Sequence, residues 1–293
     1  MFENIIIVFQ STPWLFYSTV LFLGLCVGSF LNVVAYRLPL MMERDWKHEC
    51  HEFLALEPPK TEENMLSFNL ATPVSACPNC GHKLRFWENI PVVSYLFLKA
   101  KCSSCGTNIS LQYPVVELLT GIASLIVAFQ FGVTLQTLAA LFFTWVLLAL
   151  TLIDLKKQLL PDNMTLPLLW LGLFISFFEI FTDLQSSVIG AMAGYLILWS
   201  VYHLFKLLTK KEGMGFGDFK LLAALGAWAG YSYLPQIILV SSVVGSIAGI
   251  SMLLIGKTKQ QQPIPFGPYL AVAGWIALLW GETINQTYLD FLG

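Results

Sequence analysis

Charge is scarce in this chain. Only 12% of its 293 residues are Asp, Glu, Lys or Arg, against 56% hydrophobic. A soluble globular chain carries about 25% charged residues. A water-facing surface therefore cannot be assembled around a core of this length, and the surplus apolar residues must face lipid. The net charge is only -2, which excludes bulk attraction to nucleic acid. The first thirteen residues hold no Lys or Arg. They lack the positive n-region of a cleavable signal peptide, so the first apolar run is expected to remain as a span. No glycine loop of the dinucleotide-binding type follows a strand pattern.

The apolar runs predict an all-α polytopic membrane protein of about eight helices. Their expected ranges are Trp14–Tyr36, Pro114–Phe131, Leu135–Leu155, Met164–Phe181, Gln185–Leu208, Asp218–Tyr231, Leu234–Ile255 and Phe266–Gln286. The sixth is short and rich in Gly and Ala, as a tilted or re-entrant helix would be. Cytoplasmic loops are enriched in Lys and Arg. With eight spans, all sixteen basic residues fall on one face. They lie in the 37–113 loop and in the loops after the third, fifth and seventh helices. That sorting places both termini outside and the basic loops in the cytoplasm. Three parts are expected: a first transmembrane helix (1–36), a cytoplasmic insert (37–113) and a transmembrane core (114–293).

The insert opens with a mixed-charge stretch, Met41 to Met65, that reads as helical. It then carries Cys77-Pro-Asn-Cys80 and Cys102-Ser-Ser-Cys105, each followed by glycine, Gly81 and Gly106. Two CxxC pairs at this separation form the pattern of a two-knuckle zinc ribbon, because zinc takes four tetrahedral thiolates. Two disulfides are the competing reading, and cytoplasmic placement opposes it. Four thiolates leave no open coordination position, so the zinc is expected to be structural. Cys26 reads as core, Cys50 with His48 and His51 as a solvated helical face, His82 as a surface residue and His203 as packed or interfacial.

Acids at membrane depth are costly and are functional candidates. Asp154 ends the third helix and Asp218 opens the sixth, both at the cytoplasmic side. Two carboxylates at one depth suggest an aspartyl dyad sharing one proton. Gly215 and Gly217 would let a substrate strand approach the backbone. The plainer reading is that Asp218 caps its helix while Asp154 pairs with a lysine. Asp162 reads as a loop acid or N-cap, and Glu282 as interfacial. Asn32, Arg37 and Glu117, at the cytoplasmic boundary, are candidate polar site residues. Gly28 and Ser29 read better as a close-packing face.

Gly215-Phe216-Gly217-Asp218 matches the GxGD signature of intramembrane-type aspartyl proteases. Five further stretches resemble the bifunctional type IV prepilin peptidases. They are GSFLNVVAYRLP (Gly28–Pro39), the paired CxxC block enclosing RFWENIPVVSYL, YPVVELLTG (Tyr113–Gly121), DLKKQLLPD (Asp154–Asp162) and PIPFGPYLA (Pro263–Ala271). The resemblance runs through nearly the whole chain in one order. It implies an inner-membrane enzyme that cuts the basic leader of type IV prepilins and pseudopilins after a glycine. It also implies methylation of the new N-terminus from S-adenosylmethionine. The two family aspartates fall on Asp154 and Asp218. The resemblance alone carries the methyl transfer. Substrates of pilus assembly and of type II secretion are both compatible. An ion-coupled transporter and a non-catalytic secretion scaffold are the rival classes.

Overall fold

The computed structural model describes residues 2–55, 68–254 and 265–292. Among these the chain is nearly all helical and forms two units, Met1–Val133 and Thr134–Gly293. The sequence-based division grouped the 114–131 helix with the core. In the structure that helix belongs to the first unit.

In the first unit, α1 (Phe2–Ser11) precedes α2 (Pro13–Phe53). Helix α1 was not anticipated from sequence. Thr12 breaks the run, and Pro13 opens α2 at a position where its missing N–H costs nothing. Helix α2 has 41 residues, a length of about 62 Å. A bilayer core is about 30 Å thick, so α2 continues well beyond it and absorbs residues 41–53 of the mixed-charge stretch. From residue 56 on, that stretch, with Lys60, lies outside the described residues, as do Lys257 and Lys259. After a short 3₁₀ turn (Phe86–Asn89) and α3 (Val93–Phe97), the chain enters α4 (Gln112–Phe131). Helices α2 and α4 pack through small residues. A Cβ on Gly24 would lie 2.6 Å from Ser124 Oγ, and one on Gly28 only 2.7 Å from the Glu117 Cα. Gly28 is thus a close-packing residue, as expected of small residues at a membrane helix interface.

The second unit holds α5 (Leu135–Lys157), α6 (Asp162–Ser176), α7 (Leu184–Thr209), α8 (Phe216–Ala229), α9 (Leu234–Leu254) and α10 (Gly267–Leu292). Helix α8 is its axis. From Asp218 to Ala229 every residue except Lys220 is buried. Helix α7 approaches it through Gly190 and Gly194, α6 through Gly172 against Trp228, and α10 through Gly274 against Leu225. Buried polar groups find partners: Ser187 Oγ donates to the Ala227 carbonyl at 2.6 Å, and Trp228 Nε1 to that of Leu168 at 2.8 Å. Trp275 Nε1 donates to Thr144 Oγ1 at 2.9 Å.

All eight sequence-derived helices have counterparts, with ends displaced by a turn or two, apart from α2, which runs on from the expected Tyr36 to Phe53. Five helical segments, α2, α4, α5, α7 and 231–252, are long and apolar enough to cross a membrane. Helices α6 and α8, with 15 and 14 residues, are shorter than the ~20 residues of a full crossing. A short helix at membrane depth is tolerated where neighbouring protein surrounds it, and α8 is enclosed along most of its length from Asp218 to Ala229.

Candidate active site and metal centre

Asp154 lies in the last turn of α5 and Asp218 in the first turn of α8. Both are buried, at 5% and 7% exposure. Leu160 packs against both Gly217, next to Asp218, and Gly267, whose N–H bonds Asp154, so the two acids border the same small region. The local chain explains the convergence. Helix α5 stops at Gln158, whose left-handed conformation (φ 53°) lets its N–H reach back to the Asp154 carbonyl at 2.9 Å. The chain then turns through Leu160 to the start of α6. Leu160 fills the space beneath both Gly217 and Gly267, since a Cβ on Gly217 would lie 2.7 Å from the Leu160 Cβ. The Asp162 carboxylate, at the start of α6, accepts both of its bonds from Lys220 Nζ, at 2.6 and 2.7 Å. Lys220 stands two residues beyond Asp218, so this pair ties α6 to α8 beside the acids.

The two carboxylates differ in their partners. Asp154 Oδ2 accepts the Gly267 N–H at 3.1 Å, from the start of α10. Asp218 Oδ1 is buried and has no hydrogen-bond partner. A buried acceptor left unpaired costs roughly 1–3 kcal/mol or more, and such atoms mark places where a water or substrate group belongs. Gly215 is exposed and leaves the carboxylate open, because a Cβ there would still be 3.7 Å from Asp218 Oδ2.

Gly267 was not singled out from sequence, although it lies in the PIPFGPYLA stretch (whose Pro263 and Ile264 are outside the described residues). A Cβ at this position would fall 2.6 Å from Asp154 Oδ2. Gly267→Ala must therefore push the carboxylate aside. A displacement of about 1 Å at a reacting group can cost roughly 100-fold in rate. We expect that loss in kcat, with KM little changed, when Gly267→Ala is assayed against the wild type.

The four cysteines of the insert also come together. Gly81 and Gly106, at φ 71° and 69°, donate to the carbonyls of Cys77 and Cys102 at 2.9 and 3.0 Å. The Cys77 and Cys102 N–H groups in turn reach the carbonyls of His82 and Thr107. The two knuckles are thus built alike, each needing a glycine at the left-handed position. All four Sγ atoms lie within 4.8 Å of one another. Cys77 and Cys105 are 3.8 Å apart, and Cys80 and Cys102 3.9 Å. Sulfurs placed about 2.3 Å from a central zinc stand about 3.8 Å apart, so the set fits tetrahedral Zn²⁺. The thiols also compete for charge. Thr107 and Asn79 hold Cys105 down at about 5. At Cys80 the His82 backbone pulls downward, but burial and the three other sulfurs push it up to about 11. With a divalent cation bound by Cys77, Cys80, Cys102 and Cys105, all four could be held as thiolates and that competition would be relieved. His82, read as a surface residue, instead joins the knuckles. Its Nε2 meets Glu88 Oε2 at 3.1 Å and Ser103 Oγ at 3.4 Å. The Arg85 N–H, Ser103 and His82 hold the Glu88 carboxyl at about 2.

Asn32, Arg37 and Glu117 are all buried at the junction of the insert with α2 and α4. Arg37 donates to the carbonyls of Asn69 at 3.0 Å and Pro73 at 2.6 Å. Asn32 donates to the Tyr113 carbonyl and accepts from Gln112. Glu117 accepts the Val92 N–H at 2.7 Å and bonds Ser29. These groups stitch the insert to the helix pair.

Residues 22–131 match the family model described as Bacterial Peptidase A24 N-terminal domain, and residues 141–250 match that of the Type IV leader peptidase family. A protein of Pseudomonas aeruginosa named Prepilin leader peptidase/N-methyltransferase is 58% identical over 283 residues, covering 97% of both chains. Proteins of the same name from Stutzerimonas stutzeri and Neisseria gonorrhoeae are 56% and 51% identical, covering 96% and 89% of this chain. They are covered over 96% and 90% of their own lengths. No solved structure matches. The fold and site define a helical membrane protein with a pair of buried, converging carboxylates. The identities and family matches place it further: the chain belongs to the type IV leader peptidase (prepilin peptidase) family.

Proposed function

We propose that the chain cleaves the basic leader peptide of type IV prepilins or pseudopilins after its glycine, using Asp154 and Asp218. It then methylates the new N-terminal residue. The observation that carries the first step is the burial of two carboxylates from different helices around Leu160, one of which has an unpaired oxygen. Two adjacent carboxylates share one proton. The ionised member takes a proton from water, whose oxygen attacks the scissile carbonyl, while the protonated member donates to the carbonyl oxygen. Collapse of the tetrahedral species breaks the C–N bond and returns a proton to the leaving amine. Gly215 and Gly217, on the approach to Asp218, keep side chains away from an incoming strand.

The second activity follows from the names of the relatives, and S-adenosylmethionine is the methyl donor such an activity needs. Zinc, held by Cys77, Cys80, Cys102 and Cys105, keeps the insert folded. The sorting of basic residues supports a bacterial inner-membrane placement with both termini periplasmic and the insert cytoplasmic. The apolar prepilin helix then lies in the bilayer, its basic leader in the cytoplasm, and the cut falls at the boundary where the acids sit. No observation in the structure favours a transporter or a scaffold.

Mass spectrometry of a model prepilin incubated with the protein in detergent tests the reading. The expected products are a chain cut after the leader glycine and, with S-adenosylmethionine, one methyl heavier. Intact prepilin after incubation with folded protein overturns it, and proton-coupled uptake without cleavage would establish a transporter.

The extension of α2 bears on leader binding. Asp45, Glu49 and Glu52 are exposed and spaced four and three residues apart, so they share one helical face. Glu43 belongs to the same acidic stretch. Exposed charge pairs are worth about 1 kcal/mol or less each. Reversing two of these acids to lysine is therefore expected to raise KM for a basic leader by about fivefold, with kcat unchanged. An unaltered KM would separate this face from leader recognition.

A further inference from the structure

The insert exposes apolar side chains that neither the zinc site nor the peptidase chemistry uses. Between the two knuckles, Phe86 and Phe97 are 81% and 83% exposed, Leu96 69%, and Trp87, Val93 and Ile90 between 40% and 48%. Six large apolar residues in the open, within twelve positions of a water-facing insert, mark a binding surface.

Charge identifies what covers it. Lys83, Arg85, Lys99 and Lys101 flank this segment, and all are exposed. Glu88 is the only acid between residues 68 and 111. Its side chain is turned inward onto His82, at 6% exposure. The outward face is therefore apolar in the middle and positive at both ends.

The depth of the segment is set by its tether. The Val92 N–H is held by Glu117 of α4, and Val92 takes φ 63° to do so, a conformation that a β-branched residue adopts only when its surroundings enforce it. Glu117 packs against Gly28 of α2. Gly28 stands about 22 Å along the helix from Pro13, inside the charge-free stretch 13–36. A hydrocarbon core about 30 Å thick reaches that level. The middle of the segment is thus drawn to the bilayer boundary.

We propose that residues 83–101 lie on the surface of the bilayer. Phe86, Trp87, Leu96 and Phe97 seat among acyl-chain ends, and the four basic side chains meet anionic headgroups. Interfacial segments combine these features: aromatic and aliphatic groups toward the lipid, Lys and Arg at the headgroups. The contact would hold the zinc-bearing insert at the depth where the substrate chain leaves the membrane. This inference rests on the membrane placement of α2 and α4, and it is independent of the peptidase chemistry.

Full-length protein in nanodiscs of phosphatidylglycerol and phosphatidylcholine carrying diazirine acyl chains tests it. After photolysis, lipid adducts are mapped by mass spectrometry. The 86–98 peptide is expected to carry adducts comparable to those on the lipid-facing side of α4. Phe86→Ser with Phe97→Ser should lower that labelling by about fivefold. Replacing the four basic residues with Gln, or using phosphatidylcholine alone, should lower it severalfold. Zinc content reports whether the insert is folded in each variant. An unlabelled 86–98 peptide beside a labelled α4 overturns the proposal. So does labelling that is indifferent to these changes in zinc-loaded protein, or cross-linking of this peptide to a second copy or to prepilin in place of lipid. Prepilin cleavage in the same discs is read separately. Cleavage without labelling removes this inference alone, and labelling without cleavage removes the peptidase reading alone.

Discussion

Asp154→Asn and Asp218→Asn are each expected to lower the rate of leader cleavage by roughly 1,000-fold or more, while the protein stays folded. Positioned acid–base groups contribute about 100- to 10,000-fold each, and a dyad fails as a unit when either member is lost. Asn keeps the shape of Asp and can still accept the Gly267 N–H at position 154, so little packing changes. It cannot exchange a proton with water or with the scissile carbonyl. At position 218 the buried, unpaired oxygen means that Asn removes no existing hydrogen bond from Oδ1. The double variant is expected to be no slower than the worse single one. The measurement is single-turnover cleavage of a model prepilin, with thermal unfolding as the control for folding. Near-normal turnover in either variant would remove the dyad. The plainer sequence-based reading, in which Asp154 pairs with a lysine, predicts a loss of stability at 154 instead. In the structure the partner shown for Asp154 is a backbone amide, while the Asp162–Lys220 pair lies nearby.

Removing the zinc set should act on the other unit. Cys77→Ser with Cys102→Ser takes one thiolate from each knuckle. Structural zinc sites contribute about 10–16 kcal/mol of binding free energy to folding. Apart from the bonds of Arg37, Asn32 and Glu117 at its base, the insert has few internal contacts to hold it. Its only β pairings among the described residues are two isolated bridges, Ala76 with Lys83 and Lys101 with Asn108, and most of its side chains are exposed. The variant is expected to lose its zinc, and protease should cut within residues 68–111 at least tenfold faster than in the wild type. The transmembrane helices, packed among themselves, should remain protected. Wild-type protein purified without metal and equally resistant to protease would show that zinc does not hold this insert. Two disulfides would give a different signature: resistance lost to reductant and kept in chelator.

The consequences of these two changes are expected to separate by unit, because the residues do. The acids belong to Thr134–Gly293, and the cysteines to Met1–Val133. If zinc loss abolishes cleavage as well, the insert serves the peptidase step, and the stitching bonds of Arg37, Asn32 and Glu117 are its route to the membrane helices.

The presence and order of the main apolar helices were legible in the sequence because each apolar run is long and its charges fall between runs, whereas α1, set off by Thr12 and Pro13, was not. Lipid penalises buried charge heavily enough to make that pattern nearly local. The four-cysteine cluster was legible for a similar reason, since a CxxC-Gly turn is a local structure with its own hydrogen bonds. Tertiary structure alone decided the rest. The extent of α2 was hidden because a helix leaving the membrane loses its apolar signal while keeping its backbone geometry. The placement of α4 with α2 came from contacts at Gly24 and Gly28, and no run of hydropathy encodes a partner. The role of Gly267 required knowing that residues 113 positions apart meet. Arg37 and Glu117 are singled out in a sequence because they are polar at membrane depth. Only the fold reveals that their charges are turned onto the backbone of the insert, where a buried polar group must find a partner.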